Sequence, residues 1–214
     1  MDGLLLDSER PIRDAWLSAA AELGAPLTEA DYLRVVGRNE REGDLLLLDV
    51  FGGDAALLGA TRRRADGLIA ERFNAASFDL KPGVLPLLRA LRGASIPCAV
   101  ASSTAHLEVE RRLERAGLLP FFRAVCGGDE VARGKPEPDL YLLAAERLGV
   151  DPGRCVAFED SNHGALAALA AGLAVVVVPD LKPAEPAWQA RCLAVLDSLE
   201  QASRHSIEWF GVAL

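Results

Sequence analysis

Positive charge is scarce in this sequence: 23 Lys and Arg stand against 31 Asp and Glu, a formal charge of −8 over 214 residues. Nucleic acid and anionic membranes both need a basic face, so neither is an expected partner. No apolar run approaches the roughly 18 residues of a membrane span. Cysteine is also sparse. Cys98, Cys126, Cys155 and Cys192 lie far apart with no CxxC or Cys/His cluster, which excludes a disulfide framework or a zinc site and suits reduced core residues of a cytoplasmic protein. The opening Met1–Asp7 has no cationic leader and is interrupted by acids, so it does not read as a signal peptide. Internal repeats and low-complexity segments are missing too.

What is present is a chain with half its residues apolar, enough for a sizeable core in one large domain or one domain with an insert. From Pro11 to about Asn74 the pattern is helical only. Ile12, Ala15, Trp16, Ala19 and Leu23 repeat at three and four residues, with Gly24 as a stop. Leu45 to Phe51 form a second apolar helix. Leu58, Thr61, Ala65, Leu68, Ile69 and Phe73 make a third stripe, with Arg62, Arg63 and Arg64 on a solvated face.

After Leu80-Lys81-Pro82-Gly83 the pattern becomes alternating strand and helix. Strands are expected at Ile96–Ala101, Ala124–Cys126, Cys155–Phe158 and Leu173–Val178, the last apolar enough to be buried on both faces. Helices are expected at Val84–Arg92, Ala105–Ala116, Pro138–Leu148 and Gly164–Ala171, with Gly93, Gly117, Gly149 and Gly172 as left-handed caps. This alternation implies an α/β fold, an open parallel sheet covered on both faces, with an all-helical insert after the first loop.

In such sheets ligands bind outside the carboxyl ends of the strands. The residues there are Ser102-Ser103-Thr104, then Gly127-Gly128-Asp129 with Gly134-Lys135-Pro136, then Glu159-Asp160-Ser161, and Met1-Asp2-Gly3 reads as a loop that should follow a strand. Hydroxyls, an ammonium and several carboxylates on one edge suit phosphoryl transfer: hard oxygens hold Mg²⁺, while lysine and backbone amides meet phosphate oxygens. Two adjacent acids ending an apolar strand, Glu159 and Asp160, are costly to bury without a cation.

The segments MDGLLLDSE, AVASST, GKPEP and FEDSNHGALAALAAG resemble the four motifs of the haloacid dehalogenase superfamily, in the branch of β-phosphoglucomutase and small-metabolite phosphatases. The resemblance implies a Rossmann-like core over residues 1–10 and 78–214, with a helical cap over 11–77. It implies Asp2 as general acid/base and, through its carbonyl, a metal ligand; Ser102 and Ser103 at the phosphate; Lys135 bridging phosphate and nucleophile; and Asp160 with Glu159 at the Mg²⁺. Asp7 and Ser8 would form the turn into the cap and its helix N-cap. Arg38 and Asn39, in a loop between cap helices, would touch the substrate's leaving group. His106 and His163 read as surface or supporting residues, and Trp209 and Phe210 as packing. The substrate would be a small phosphorylated metabolite, and a monomer is expected.

One departure from the family pattern stands out. The family's nucleophilic aspartate lies two residues before the acid/base, at the end of a strand in the middle of the sheet; here that position would precede Met1. A mis-set start is the expectation, which reading the upstream DNA tests. The residues present should leave a gap at the sheet centre or a displaced N-terminus, with Asp2 still near Asp160. Mutases of this branch carry a histidine where this chain has Ile12, which places a phosphatase ahead of a mutase. A truncated, non-catalytic phosphate binder is the third alternative.

Overall fold

A computed structural model describes residues 1–36, 38, 40–73 and 77–211. Helices α1 (Glu9–Leu23), α2 (Glu29–Val35), α3 (Glu40–Val50) and α4 (Ala55–Phe73) come first. They enclose their own core of Trp16, Tyr32, Leu47, Phe51, Leu58 and Ala65. Gly24 ends α1 in the left-handed conformation (φ 65°), its amide reaching back to Ala20 and Ala21. The sequence reading missed α2, whose Thr28 accepts a hydrogen bond from the Asp31 amide while Asp31 reciprocates at the Thr28 amide. Such caps mark short helices that show too few apolar positions to reveal a period.

The remainder alternates as anticipated: α5 (Val84–Gly93), β1 (Ala99–Ala101), α6 (His106–Arg115), β2 (Ala124–Cys126), α7 (Asp139–Leu148), β3 (Val156–Glu159), α8 (Asn162–Ala170) and β4 (Ala174–Val177). Two short helices, α9 (Pro186–Gln189) and α10 (Ser206–Phe210), and a two-residue strand β5 (Ala194–Val195) complete it. All strand pairs are parallel. Gly117, Gly149 and Gly172 adopt positive φ as expected, but Gly93 does not: it stays inside α5, and Ser95 takes the left-handed position at φ 58°. No helix among the described residues is long and apolar enough to cross a membrane.

The sheet is split. Among the described residues β1 pairs only with β2, and β3, β4 and β5 form a second sheet. Between the facing edges of β1 and β3 lies an apolar cavity of about 460 Å³, bordered by Val100, Leu88, Phe158, Tyr141, Trp209 and Met1. This is the central gap the sequence anticipates. β1 begins at Ala99, where its ladder with β2 begins, rather than at Ile96.

The N-terminal residues fold into a tight loop beside this gap. The amides of Leu4, Leu5 and Leu6 all point to the Met1 carbonyl, and Leu6 bridges to Leu80. Leu4, Leu5 and Leu6 are buried in the core with Val84, Leu88 and Val100. Ile12 and Ile69 touch both this core and the helical one, so they form the seam between the two units.

Candidate functional site

A second cavity, of about 410 Å³, lies at the carboxyl ends of β1 and β3 and is bordered by Asp2, Ser102, Ser103, Lys135 and Asp160, with Glu9, Arg38, Arg62, Glu108 and Arg112 around them. Six sequence-predicted residues, Arg38 among them, therefore share one cleft, and Asp2 lies near Asp160 as expected. Glu159 sits just beneath it. Arg38 borders the cleft from the helical unit, with Nη1 3.4 Å from Glu42 Oε2. Asn39 lies outside the described residues.

Gly3 explains how the loop reaches this spot. Its φ of 73° is open to glycine, and a Cβ there would collide with Asp160 Oδ2 and come within 3.2 Å of Asp180 Oδ2. The chain can thus press its backbone against two carboxylates. Asp2 is then fixed by three partners: Ser8 Oγ donates to Oδ1 at 2.6 Å, Thr104 Oγ1 donates to Oδ2 at 3.2 Å, and Arg112 Nη1 donates to Oδ1 at 2.8 Å. Burial pushes the Asp2 pKa up, but the Arg112 guanidinium, the amino terminus at Met1 and the Ser8 hydroxyl outweigh it, and the carboxyl ends below its ordinary range. Ser8 holds the N-cap position of α1 as expected, but its hydroxyl serves Asp2 instead of the helix. It precedes α1 with φ −99° and ψ −30°, caps nothing with its side chain, and is fully buried against Asp2.

Lys135 and Glu159 form a buried pair. Lys135 Nζ donates to Glu159 Oε1 and, at 3.2 Å, to the Ala101 carbonyl. The Tyr141 hydroxyl also donates to Glu159 Oε1, while Oε2 accepts from Ser161 Oγ and the Asp160 amide, both at 3.2 Å. Burial alone would raise the Glu159 pKa, but Lys135, the amino terminus at Met1 and the Tyr141 hydroxyl bring it down to about 2. Gly164 makes room for this arrangement, because any Cβ there would overlap the Glu159 carboxylate. Ser161 rather than either acid caps α8, accepting from the Gly164 amide at 3.1 Å.

Asp160 differs from its neighbour. Its carboxylate has neither hydrogen bond nor ion pair among the described residues, and burial beside Glu159 and Asp180 pushes it up to about 7. Glu9, at the start of α1, is pushed up to about 8 by burial and by Asp2, Asp160 and Asp180. An acidic cluster with so little compensation favours a cation, and Mg²⁺ commonly uses one or two carboxylates with waters and substrate phosphate. Among the described residues no group of three His, Cys, Asp or Glu side chains is arranged as an all-protein metal cage.

Ser102 is buried, and its Oγ accepts from the Thr104 amide at 3.2 Å. His106 is engaged away from the cleft, with Nδ1 2.9 Å from Glu130 Oε2. His163 is half-buried, and its pKa is lowered by burial and by the charges of Arg38 and Lys182. Trp209 packs edge-on against Phe158, centroids 5.9 Å apart.

Several site residues escaped the sequence reading. Arg62 does not lie on a merely solvated face: its guanidinium sits 5.3 Å from the Trp16 ring centroid and the residue borders the cleft. Arg112 and Glu108 lie on α6, where an amphipathic charge pattern looks like any exposed helix. Asp180 carried a usable signal, because Val178-Pro179-Asp180 follows a strand just as Glu159-Asp160 does.

The sequence pattern of haloacid dehalogenase-like hydrolases matches residues 1–172. A phosphorylated carbohydrates phosphatase of Thermotoga maritima is 37% identical over 175 residues, covering 81% of this chain and 79% of that protein. Among solved structures, a haloacid dehalogenase family hydrolase of Deinococcus radiodurans R1 with bound phosphate and sodium is 31% identical (TM-score 0.74, covering 98% of this chain and 93% of that one). CbbY of Rhodobacter sphaeroides in complex with phosphate is 29% identical (TM-score 0.72, covering 94% and 92%).

Proposed function

The chain belongs to the haloacid dehalogenase-like hydrolases, in the β-phosphoglucomutase-like phosphatase branch, and from that premise we propose that it is a Mg²⁺-dependent phosphatase of small phosphorylated carbohydrates. The observation that carries this reading is the convergence of Asp2, Ser102, Lys135 and Asp160 on one cleft at the strand ends. The phosphoryl oxygens would lie between the Ser102 hydroxyl, with Ser103 beside it, and the Lys135 ammonium. Glu159 keeps Lys135 aimed, and this is its main task, since both of its oxygens are occupied. Asp160 and the Asp2 carbonyl would hold Mg²⁺, which neutralises charge on the transferring group.

Asp2 moves the proton. In the first step a carboxylate oxygen attacks phosphorus, the bond to the leaving oxygen breaks, and that oxygen takes the Asp2 proton. In the second, water attacks the aspartyl-phosphate, gives its proton to Asp2, and phosphate leaves. Arg112 favours the ionised form of Asp2, which suits the second step; the first step needs Asp2 protonated, so bound substrate would have to weaken the Arg112 contact. The attacking carboxylate belongs two residues ahead of Asp2, a position this sequence does not contain. Met1 borders both the site cleft and the cavity between β1 and β3, so a strand laid in that cavity would deliver its last residue beside Asp2.

Residues 11–77 would serve as a cap that closes over the substrate and excludes water. Arg38, with Asn39, would contact the leaving group. The mutase alternative asks for a polar residue at position 12, where Ile12 packs into the seam between the two cores.

The test compares this chain with one extended by a short apolar strand ending two residues before Asp2 in aspartate. Each is assayed with Mg²⁺ against an aryl phosphate and a panel of sugar phosphates. Phosphate release by the extended form alone supports the reading. Isomerised sugar phosphate would move it to a mutase, and inactivity of both forms would leave a phosphate-binding protein.

A further inference from the structure

Asp180 stands just beyond β4, at the same edge of the sheet as Asp160, and its side chain is 1% exposed. Its two oxygens have different surroundings. Oδ1 accepts from Arg10 Nη1 at 2.5 Å and from Lys81 Nζ at 2.7 Å. Arg10 lies in the first turn of α1 and Lys81 just before α5, so both chain passages between the helical unit and the α/β unit are tied to one atom. Oδ2 is buried and has no hydrogen-bond partner among the described residues. It faces the space above Gly3 that Asp160 Oδ2 also borders.

A buried acceptor with nothing to accept from costs about 1–3 kcal/mol, more when charged. Arg10 and Lys81 satisfy the charge of Asp180 from one side only. The unfilled requirement on the other side is for a donor or a cation next to Asp160. We propose that Asp180 is a further residue of the cation site: Oδ2 accepts from a water on the ion held by Asp160, while Oδ1 holds the two linkers to the helical unit.

Cation binding and the placement of the helical unit are thereby joined through a single carboxylate. A bound ion draws electron density towards Oδ2 and weakens the grip of Oδ1 on Arg10 and Lys81, and loosening those cations strengthens Oδ2 as an acceptor. This inference rests on the Mg²⁺ reading of the site.

The test is Mg²⁺ binding to the full chain, by calorimetry and by the Mg²⁺-dependent rise of the thermal midpoint, with no substrate present. Asp180→Asn should weaken Mg²⁺ binding by about 10-fold or more, in line with the 10–100-fold losses typical of outer-shell partners. Arg10→Gln should strengthen it several-fold, because it removes a competing cation and leaves the carboxylate in place. A latch with no part in cation binding predicts the same direction for both variants, since each breaks the same contact, and that result overturns the proposal. If Asp180→Asn does not fold, Arg10→Gln decides by its sign alone. Unchanged Mg²⁺ affinity in folded variants also overturns it, whereas a wild-type chain that binds no Mg²⁺ overturns the metal reading beneath it.

Discussion

Arg112 donates to Asp2 at 2.8 Å across 110 residues of chain. The guanidinium is held from behind by Glu108, whose Oε1 accepts from Nε at 3.0 Å, and it lies 5.7 Å from the Phe78 ring centroid. The N-terminal loop and α6 are therefore fastened together at the centre of the site. Arg112→Met should cost about 2–3 kcal/mol at pH 7, because it leaves a largely buried carboxylate with only two hydroxyl partners. The folded pKa of Asp2 is depressed, so the stability from this pair exists above its unfolded value near 3.8 and is lost as pH falls further. Urea unfolding from pH 7 to below 3 should show the variant's deficit shrinking with acidification; an equal deficit throughout contradicts the pairing.

Gly3→Ala combines two penalties. The left-handed conformation costs about 1–2 kcal/mol for a residue with a Cβ, and the new methyl must displace the Asp160 carboxylate. The thermal midpoint should fall by several degrees and Mg²⁺ affinity by more than 10-fold. An alanine variant that keeps both would mean that the loop does not press on Asp160.

The Lys135–Glu159 pair can be read by a double-mutant cycle. Lys135→Met alone leaves a buried carboxylate without its cation, and Glu159→Gln alone leaves a buried ammonium. Each should cost about 3–5 kcal/mol. In the double variant the glutamine still accepts from Tyr141, so the combined loss should fall short of the sum by more than 1 kcal/mol. Additive losses, measured by denaturant unfolding, would show that the two side chains act independently.

Glu130 gives a pH signature away from the site. It accepts from Arg147 Nη2 and from the Gly127 amide, both at 2.7 Å, and its pKa falls to about 2, with the Arg147 hydrogen bond as the largest cause. The stability it supplies is complete above its ordinary 4.5 and disappears as pH falls towards 2. Because the group is near solvent, screening reduces its worth to about 1 kcal/mol. Glu130→Gln should lower stability by that amount at pH 7 and by nothing at pH 2; a constant offset at both would rule out the ionised pair.

The sequence by itself determined the parallel α/β frame, the helical insert and four motif positions. These follow from local periodicity, from turn residues, and from the rule that strand ends carry the chemistry. Ser102 and Asp160 were legible because each directly follows a strand, and Asp2 and Lys135 because MDGLLLDSE and GKPEP resemble motifs of the family. Even the gap between β1 and β3 was legible, since the N-terminal motif opens without a strand before it. Side-chain partnership was not. Ser8 has the identity of a helix cap, yet its hydroxyl serves Asp2. Glu159 and Asp160 are neighbours in sequence, yet one is paired with Lys135 and the other's carboxylate has no partner among the described residues. Asp180 meets Arg10 across 170 residues. Periodicity decides which face of an element is buried, but which charge lies opposite another depends on how the elements are stacked, and only the tertiary structure decided that.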